Sequence, residues 1–296
     1  MLTSEQIEVR LQGLGGSDSP ITAGLSPRMT DLELFYVKRA GVEGRQIIEP
    51  SGDLQHEAWV GNAAEPVIDA WFQRELEVKT HKVHQTQWHR DTTELPWMLC
   101  HPDRRVVGQK AGAEYKIRAR GSEWGPSGTD YIPDDIRVQV NHCMEVYDYD
   151  LWYVAVWLPP FDFRWYAIER DRSLVDLIVE IDSAFWTRVQ TDKPPPADYD
   201  HSTTYGLMQR MYPGTTGQSL ELDPSYTHWH HVLQDAREKR LAYEKLEAGA
   251  RNHILEALGH NAIGYLHDGD GAAYIRETRE DGSLKRFYHK RGIKRG

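Results

Sequence analysis

The stretch that decides the fold runs from Trp97 to Arg118, WMLCHPDRRVVGQKAGAEYKIR. An apolar run leads into Pro102-Asp103, a turn follows at Gly108, and the chain then gives Glu114-Tyr115-Lys116. The pattern predicts strands over 97–108 and 112–118 joined by a Gly-containing turn. Two neighbouring strands bring Asp103 and Glu114 to one point, where hard carboxylate oxygens can hold Mg²⁺ and leave room for water and a phosphate oxygen. Glu114 and Lys116 are two residues apart and so face the same side of their strand. That places an amine where it can orient or deprotonate a water and offset charge in a transition state. Tyr115 points to the other face and offers its backbone carbonyl. By itself the motif is short, and the competing reading is a surface ladder of alternating charges.

Composition narrows the class. The chain has 296 residues, 40% apolar and 27% charged, which is the profile of a folded globular protein. No run approaches the roughly 20 apolar residues of a membrane span, and Met1-Leu2-Thr3-Ser4-Glu5 lacks a signal-peptide layout, so a cytoplasmic protein is expected. Cys100 and Cys143 are too few for a disulfide framework or a four-thiolate metal site; reduced, partly buried thiols are the expectation. The net charge of −10 is uneven. Residues 201–296 hold 14 basic and 12 acidic side chains, so residues 1–200 hold 21 of the 35 basic and 33 of the 45 acidic ones.

Lys193-Pro194-Pro195-Pro196 reads as the boundary between a core, 1–196, and an extension, 197–296. In the core, Thr30-Asp31-Leu32-Glu33 has capping-box spacing for a short helix that Gly41 stops. A second helix is expected from about Asn62, with Pro66 in its first turn and Val67, Ile68, Trp71 and Phe72 on one face. Residues 81–90 read as a strand, 134–148 as a helix, Trp152–Leu158 and Arg164–Glu169 as a strand pair around Pro159-Pro160, and 171–190 as a helix. The order α, α, β-rich block, α, β, β, α predicts an α/β fold, a mixed sheet covered by helices. The extension predicts a long helix from about Pro224, N-capped by Asp223, with Trp229, Val232, Ala236, Tyr243, Leu246 and Ala250 on one face. Strands are expected over Ala262–His267 and Ala272–Thr278, followed by a solvated basic tail carrying Lys285, Arg286, Lys290, Arg291, Lys294 and Arg295.

Further side chains suit the same chemistry. Glu65 would add a third acid to the metal site, its competing role being a first-turn glutamate that complements the helix dipole. Gln139 would hydrogen-bond the attacking water or a phosphate. Arg10, seven residues before Ser17 on the turn Gly15-Gly16-Ser17-Asp18, combines a guanidinium, a hydroxyl and exposed N–H groups into a phosphate clamp. An acidic core can still bind a polyanion if Arg104, Arg105, Lys116, Arg118 and Arg120 line a channel, and Arg118 and Arg120 continue the strand face of Lys116. His228-Trp229-His230-His231 lacks a third ligand and reads as a helix-surface cluster. Trp88, Trp97, Trp152, Trp157 and Trp165 read as core, and His142 as a buried, hydrogen-bonded histidine.

Taken in order, Arg10, Gly15-Gly16-Ser17-Asp18, Gly24-Leu25-Ser26-Pro27, Gly61-Asn62, Glu65-Pro66, Pro102-Asp103, Glu114-Tyr115-Lys116, Gln139-Val140-Asn141-His142 and Trp152-Tyr153-Val154-Ala155-Val156 resemble the YqaJ-type viral recombinases. These are phage nucleases related to lambda exonuclease in the PD-(D/E)xK superfamily, and the resemblance spans residues 7–190. It implies a restriction-endonuclease-like core and a 5′→3′ exonuclease acting on double-stranded DNA ends. Mg²⁺, replaceable by Mn²⁺, would be held by Asp103, Glu114 and the Tyr115 carbonyl, with Glu65 acting through water. Lys116 would activate the nucleophile, Gln139 would support it, and Arg10 with Ser17 would take the terminal 5′-phosphate. The resemblance also implies a homo-oligomer, a trimeric ring, and a single-strand annealing protein as partner. Asn141 departs from the glutamine that many relatives carry. No GxxxxGK[ST] loop is present, so the chain shows no ATP motor. The rival readings are a non-catalytic DNA-end-binding scaffold and an endonuclease or single-strand nuclease of the same superfamily; a Cas4-like nuclease would need four cysteines.

Overall fold

The computed structural model describes residues 4–43, 52–84, 86–88, 94–267 and 273–291. Two compact units emerge, Met1–Thr215 and Thr216–Gly296. In the first, the described elements are α1 (Ser4–Leu11), α2 (Ser19–Thr22), α3 (Asp31–Val42), α4 (Gly52–Leu76), β1 (Thr80–Lys82), β2 (Gln87–Trp88), β3 (Leu99–Cys100), β4 (Arg104–Val106), β5 (Ala111–Ile117), α5 (Asp134–Tyr147), β6 (Leu151–Leu158), β7 (Asp162–Glu169), α6 (Arg172–Thr191) and α7 (Thr204–Met211). The main sheet has the order β1-β4-β5-β6-β7. Every pairing in it is antiparallel except β5 with β6, which α5 connects. A parallel pair needs such a crossover, so the predicted mixed α/β sheet follows from one helix between two strands.

Alternation along the strands sorts the two faces of this sheet. Trp152, Val154 and Val156 of β6 join Val140 and Met144 of α5 and Phe185 and Trp186 of α6 in one core. Ala111, Ala113 and Tyr115 of β5 and Ala155 of β6 join Ile68 and Phe72 of α4 in a second core on the other face. Gly112 is required by close packing: a Cβ there would stand 2.4 Å from the Trp152 ring. Thr30 caps α3 by accepting from the Glu33 N–H at 3.1 Å, as its capping-box spacing predicts.

The structure changes several local expectations. The strand predicted over 97–108 is two short strands, broken where Pro102 removes a ladder donor. Helix α4 begins at Gly52, so Pro66 sits in its interior. The missing N–H deprives the Asn62 carbonyl of its partner; burial of Ala64, Ile68 and Phe72 against the sheet keeps the helix continuous. Gly41 lies inside α3, where it admits the Leu11 side chain 2.4 Å from the place a Cβ would occupy. Cys100 and Cys143 are fully buried and joined as a disulfide, with Cα atoms 5.3 Å apart, in place of the reduced thiols expected. Packing of α5 against β3 brings them together from 43 residues apart.

The first unit also runs past the expected boundary at Pro196. The prolines end a helix without ending the domain, because the chain returns to the body. Leu207 of α7 is buried, His201 Nε2 meets the Ser26 carbonyl at 2.9 Å, and Arg210 pairs with Glu33. The second unit holds α8 (Tyr226–Leu258), β8 (Ile263–Tyr265), β9 (Ala273–Thr278) and β10 (Leu284–Lys290). Its sheet is antiparallel in the order β10-β9-β8. Asp223 does not cap α8; it accepts from the Ser225 N–H and hydroxyl just before the helix. The basic segment read as a tail is partly strand: Lys285, Arg286 and Lys290 belong to β10, while Lys294 and Arg295 lie outside the described residues. Of the predicted strand over 81–90, residues 89–90 also lie outside them, as does the Trp88 side chain. No helix among the described residues is long and apolar enough to cross a membrane.

Candidate active site

Register builds the site. Arg104 of β4 lies opposite Ala113 of β5, so one further step brings Asp103 abreast of Glu114. At this point a carboxylate replaces the ladder: the Tyr115 backbone N–H donates to Asp103 Oδ2 at 2.7 Å. Glu114 and Lys116 face α5, as their spacing predicts. Lys116 Nζ donates to Glu114 Oε1 at 2.7 Å and to Gln139 Oε1 at 3.0 Å. Gln139 Nε2 completes the triangle by donating to Glu114 Oε1 at 2.7 Å. The amide can do so because Val140, Cys143 and Met144 seat the same helix in the core.

The electrostatics of this cluster are unbalanced. Burial pushes the Asp103 carboxyl well above the usual carboxylate range; Glu114 and Glu65 push it further, and Lys116 opposes them. The hydrogen bonds use Asp103 Oδ2 and Glu114 Oε1, leaving the other oxygen of each carboxyl. An all-oxygen, partly uncompensated donor pair suits a hard dication. Among the described residues no group of three or more His, Cys, Asp or Glu side chains is arranged to hold a metal ion. The fit therefore rests on two carboxylates, with the remaining positions left to backbone oxygen and water.

Glu65 stands close enough for its charge to be felt at Asp103. It lies in mid-helix and receives Arg104 Nη1 at 3.3 Å, with Lys82 Nζ at 3.9 Å. A second polar cluster, which sequence reasoning missed, occupies the opposite face of β5. Asp69 accepts from Tyr115 Oη at 2.8 Å, Thr80 Oγ1 at 2.6 Å and Arg104 Nε at 3.1 Å. Arg104 is thus buried and committed to structure instead of lining a channel. Arg105 is spent similarly, donating to Tyr149 and stacking over the Tyr147 and Tyr149 rings. Strand β5 ends at Ile117, so Arg118 and Arg120 do not continue its face as strand residues. Arg118 approaches Asp135 at 3.9 Å, and Arg120 is exposed.

The N-terminal loop meets the same site. Arg10 Nη2 donates to Ser17 Oγ at 3.0 Å, bringing the two predicted partners together. Asp18, not singled out from the sequence, organises the turn by accepting from the Gly15 N–H at 2.9 Å and from Lys38 Nζ at 2.6 Å. Burial alone would raise the Asp18 carboxyl; Lys38 and Arg10 outweigh it and hold it below its ordinary value. Leu14 is bonded to Trp97 and Leu99 along the strand that leads to Asp103. Gly16 lies against α5, where a Cβ would sit 2.7 Å from Cys143 Sγ and 3.1 Å from the Gln139 carbonyl. His101, also missed, immediately precedes the Pro102-Asp103 pair. Its Nε2 is buried without a hydrogen-bond partner among the described residues, and burial, then Arg10 and Lys82, lower its basicity.

His142 is buried as expected. Ser19 and Asp182 both approach its Nδ1, at 2.6 and 3.2 Å, and Nε2 faces the Leu99 carbonyl at 3.0 Å. These three fully buried side chains tie α2, α5 and α6 together. Trp97 and Trp152 are core, and Trp157 and Trp165 pack at the edge of the α4-side core. The histidines at 228, 230 and 231 lie on exposed helix.

The class defined by this fold is the restriction-endonuclease-like α/β architecture. Two crystal structures of LHK-Exo share it: the complex with dAMP aligns over 71% of this chain and 97% of that chain with a TM-score of 0.51 at 16% identity. The other, an alkaline exonuclease from Laribacter hongkongensis, aligns over 71% and 98% with a TM-score of 0.50 at 15% identity. Residues 6–150 match the YqaJ-like viral recombinase domain. The YqaJ protein of Bacillus subtilis strain 168, described as uncharacterized, is 29% identical over 229 residues, which are 75% of this chain and 67% of the relative.

Proposed function

We propose that the chain is a Mg²⁺-dependent exonuclease that degrades the 5′-ended strand of duplex DNA and leaves 3′ single-stranded overhangs for recombination. The observation that carries this reading is the convergence of Asp103, Glu114, Lys116 and Gln139 beside the Arg10–Ser17 loop. It is supported by the YqaJ-like domain and by the fold shared with an alkaline exonuclease.

Each residue has a role that its position allows. Asp103 and Glu114 would hold the cation with their remaining oxygens, the Tyr115 carbonyl would complete the set, and Glu65 would act through water. Bound there, Mg²⁺ supplies positive charge to the phosphoryl oxygens and acidifies a water molecule. Lys116 aligns the attacking water and takes part in its deprotonation while Gln139 fixes the amine. Arg10 and Ser17 grip the terminal 5′-phosphate, which sets polarity by placing the adjoining phosphodiester at the carboxylates. With no ATP motor, processive movement requires a topology that prevents escape; the trimeric ring of related nucleases would provide it, and a single-strand annealing protein would receive the overhang.

The test is a linear duplex labelled separately on each strand, with closed circular DNA alongside. Expected is Mg²⁺- or Mn²⁺-dependent loss from 5′-phosphorylated ends and survival of the circle. Nicking of the circle, release from 3′ ends, or binding of ends without any cleavage would each refute the assignment.

A further inference from the structure

The loop that carries Ser17 rests on a buried ion pair. Lys38 follows Leu34 by four residues and Phe35 by three on α3, so it faces the body of the unit with them, and its side chain is only 3% exposed. Burying an ammonium is costly unless its protons find acceptors. Lys38 Nζ donates to Asp18 Oδ2 at 2.6 Å and to the Arg10 carbonyl at 2.7 Å. Asp18 Oδ2 also accepts from the Gly15 N–H at 2.9 Å, so one carboxylate ties the glycine turn to α3. Helix α1 reaches the same place because Leu11 packs against Gly41, one turn beyond Lys38. Asp182, a more distant acid felt at Lys38, has its two oxygens taken up by the hydroxyls of Ser19 at 2.6 Å and Thr22 at 2.5 Å.

Arg10 is the third charge of the group and the exposed one, with 40% of its side chain open. Its Nη2 stands 3.9 Å from Asp18 Oδ1 and 3.0 Å from Ser17 Oγ. The guanidinium thus turns to a neutral hydroxyl although a carboxylate, the stronger acceptor, lies within reach. Lys38 supplies the reason. Two cations share one carboxylate, and the buried cation holds it, which leaves a positive charge at the surface beside a hydroxyl. A terminal phosphate of about −2 requires that arrangement, because an arginine closed on Asp18 would have to give up that pair first. Given the proposed role of Arg10 and Ser17 at the terminal phosphate, we infer that Lys38 is a positioning residue for it: by engaging Asp18 it keeps Arg10 directed to Ser17 and its charge available.

Removing the lysine alone leaves a buried acid whose nearest remaining cation is Arg10, and the guanidinium should swing from Ser17 to Asp18. Removing both charges should not have that effect, since an asparagine at position 18 still accepts from the Gly15 N–H and attracts Arg10 far less. The test is the ratio of initial rates on 5′-phosphorylated and 5′-hydroxyl duplex ends at subsaturating DNA, in which the folded fraction cancels. Lys38→Met should lower the ratio about tenfold, as Arg10→Ala should. Lys38→Met combined with Asp18→Asn should recover it to within about threefold of wild type. A lysine that served only as a brace would lose the ratio in both variants, because neither keeps the bond to the Arg10 carbonyl. Loss in both, or no change in Lys38→Met, while Arg10→Ala still lowers the ratio, would overturn the proposal and leave the phosphate clamp standing. A wild type indifferent to the phosphate, or Arg10→Ala without effect, would overturn the clamp and the role of Lys38 with it. Should Lys38→Met fail to fold, the double variant, which buries no charge, decides: a recovered ratio supports the role, and a ratio as low as that of Arg10→Ala refutes it.

Discussion

Strand β5 separates two carboxylate clusters that answer burial in opposite ways. On the α4 side, burial pushes Asp69 up, but hydrogen bonds from Thr80, Tyr115 and Arg104 outweigh it and hold the carboxyl below its ordinary value. On the α5 side, Asp103 is pushed well above that value, because burial and two acidic neighbours outweigh one lysine. The first cluster is completed by the protein's own donors. The second lacks that compensation, so its carboxyl favours the protonated form unless positive charge from outside the chain offsets it. Completeness thus separates the carboxylate that the fold satisfies from the one proposed to bind the cation, although both are aspartates touching the same tyrosine.

The sharpest way to break this contrast is Lys116→Ala. Cleavage should fall by about 10³-fold or more while the circular dichroism spectrum is kept, since a water-activating group commonly contributes that much; normal cleavage would discard the α5-side site. Asp69→Ala should do the reverse. Leaving Arg104 and Tyr115 short of their acceptor should cost about 3 kcal/mol in denaturant unfolding, with turnover by the folded fraction preserved. Arg10→Ala should lower discrimination between 5′-phosphorylated and 5′-hydroxyl ends by about tenfold, the worth of one charged hydrogen bond, measured as a ratio of initial rates.

The smallest expected effect is on stability and carries a sign. The native Asp103 carboxyl holds its proton more tightly than the unfolded chain, whose ordinary value is 3.8. Wild-type stability from this group is therefore fully present below that value and is lost as pH rises through the raised one. With divalent cations chelated, Asp103→Asn should melt about 2–4 °C higher than wild type at pH 8, and the gain should vanish at acid pH. A lower melting point at pH 8 would mean that the carboxylate is already compensated.

The chemistry was legible where it is written in short, local patterns. Strand alternation put Glu114 and Lys116 on one face, and the Arg10 to Ser17 spacing anticipated a contact seen at 3.0 Å. The supporting residues carried no such signal. Lys38 lies on a helix with nothing local to link it to Asp18, and Asp69 meets Arg104 from another element. Pro66 misled because a proline's local preference was weighed without the packing that overrides it. The Pro194–Pro196 run misled in the same manner, since a break in helix is a local event whereas a domain boundary depends on what the following residues touch.

From the sequence alone came the mixed α/β order, the carboxylate–lysine motif and the amphipathic stripe of α8, because periodicity and side-chain type are properties of neighbours along the chain. Tertiary structure alone joined Cys100 to Cys143, gave Arg104 and Arg105 partners within the fold, and carried the body to Thr215. Those outcomes depend on which distant groups burial forces to satisfy one another, and no local spacing encodes that.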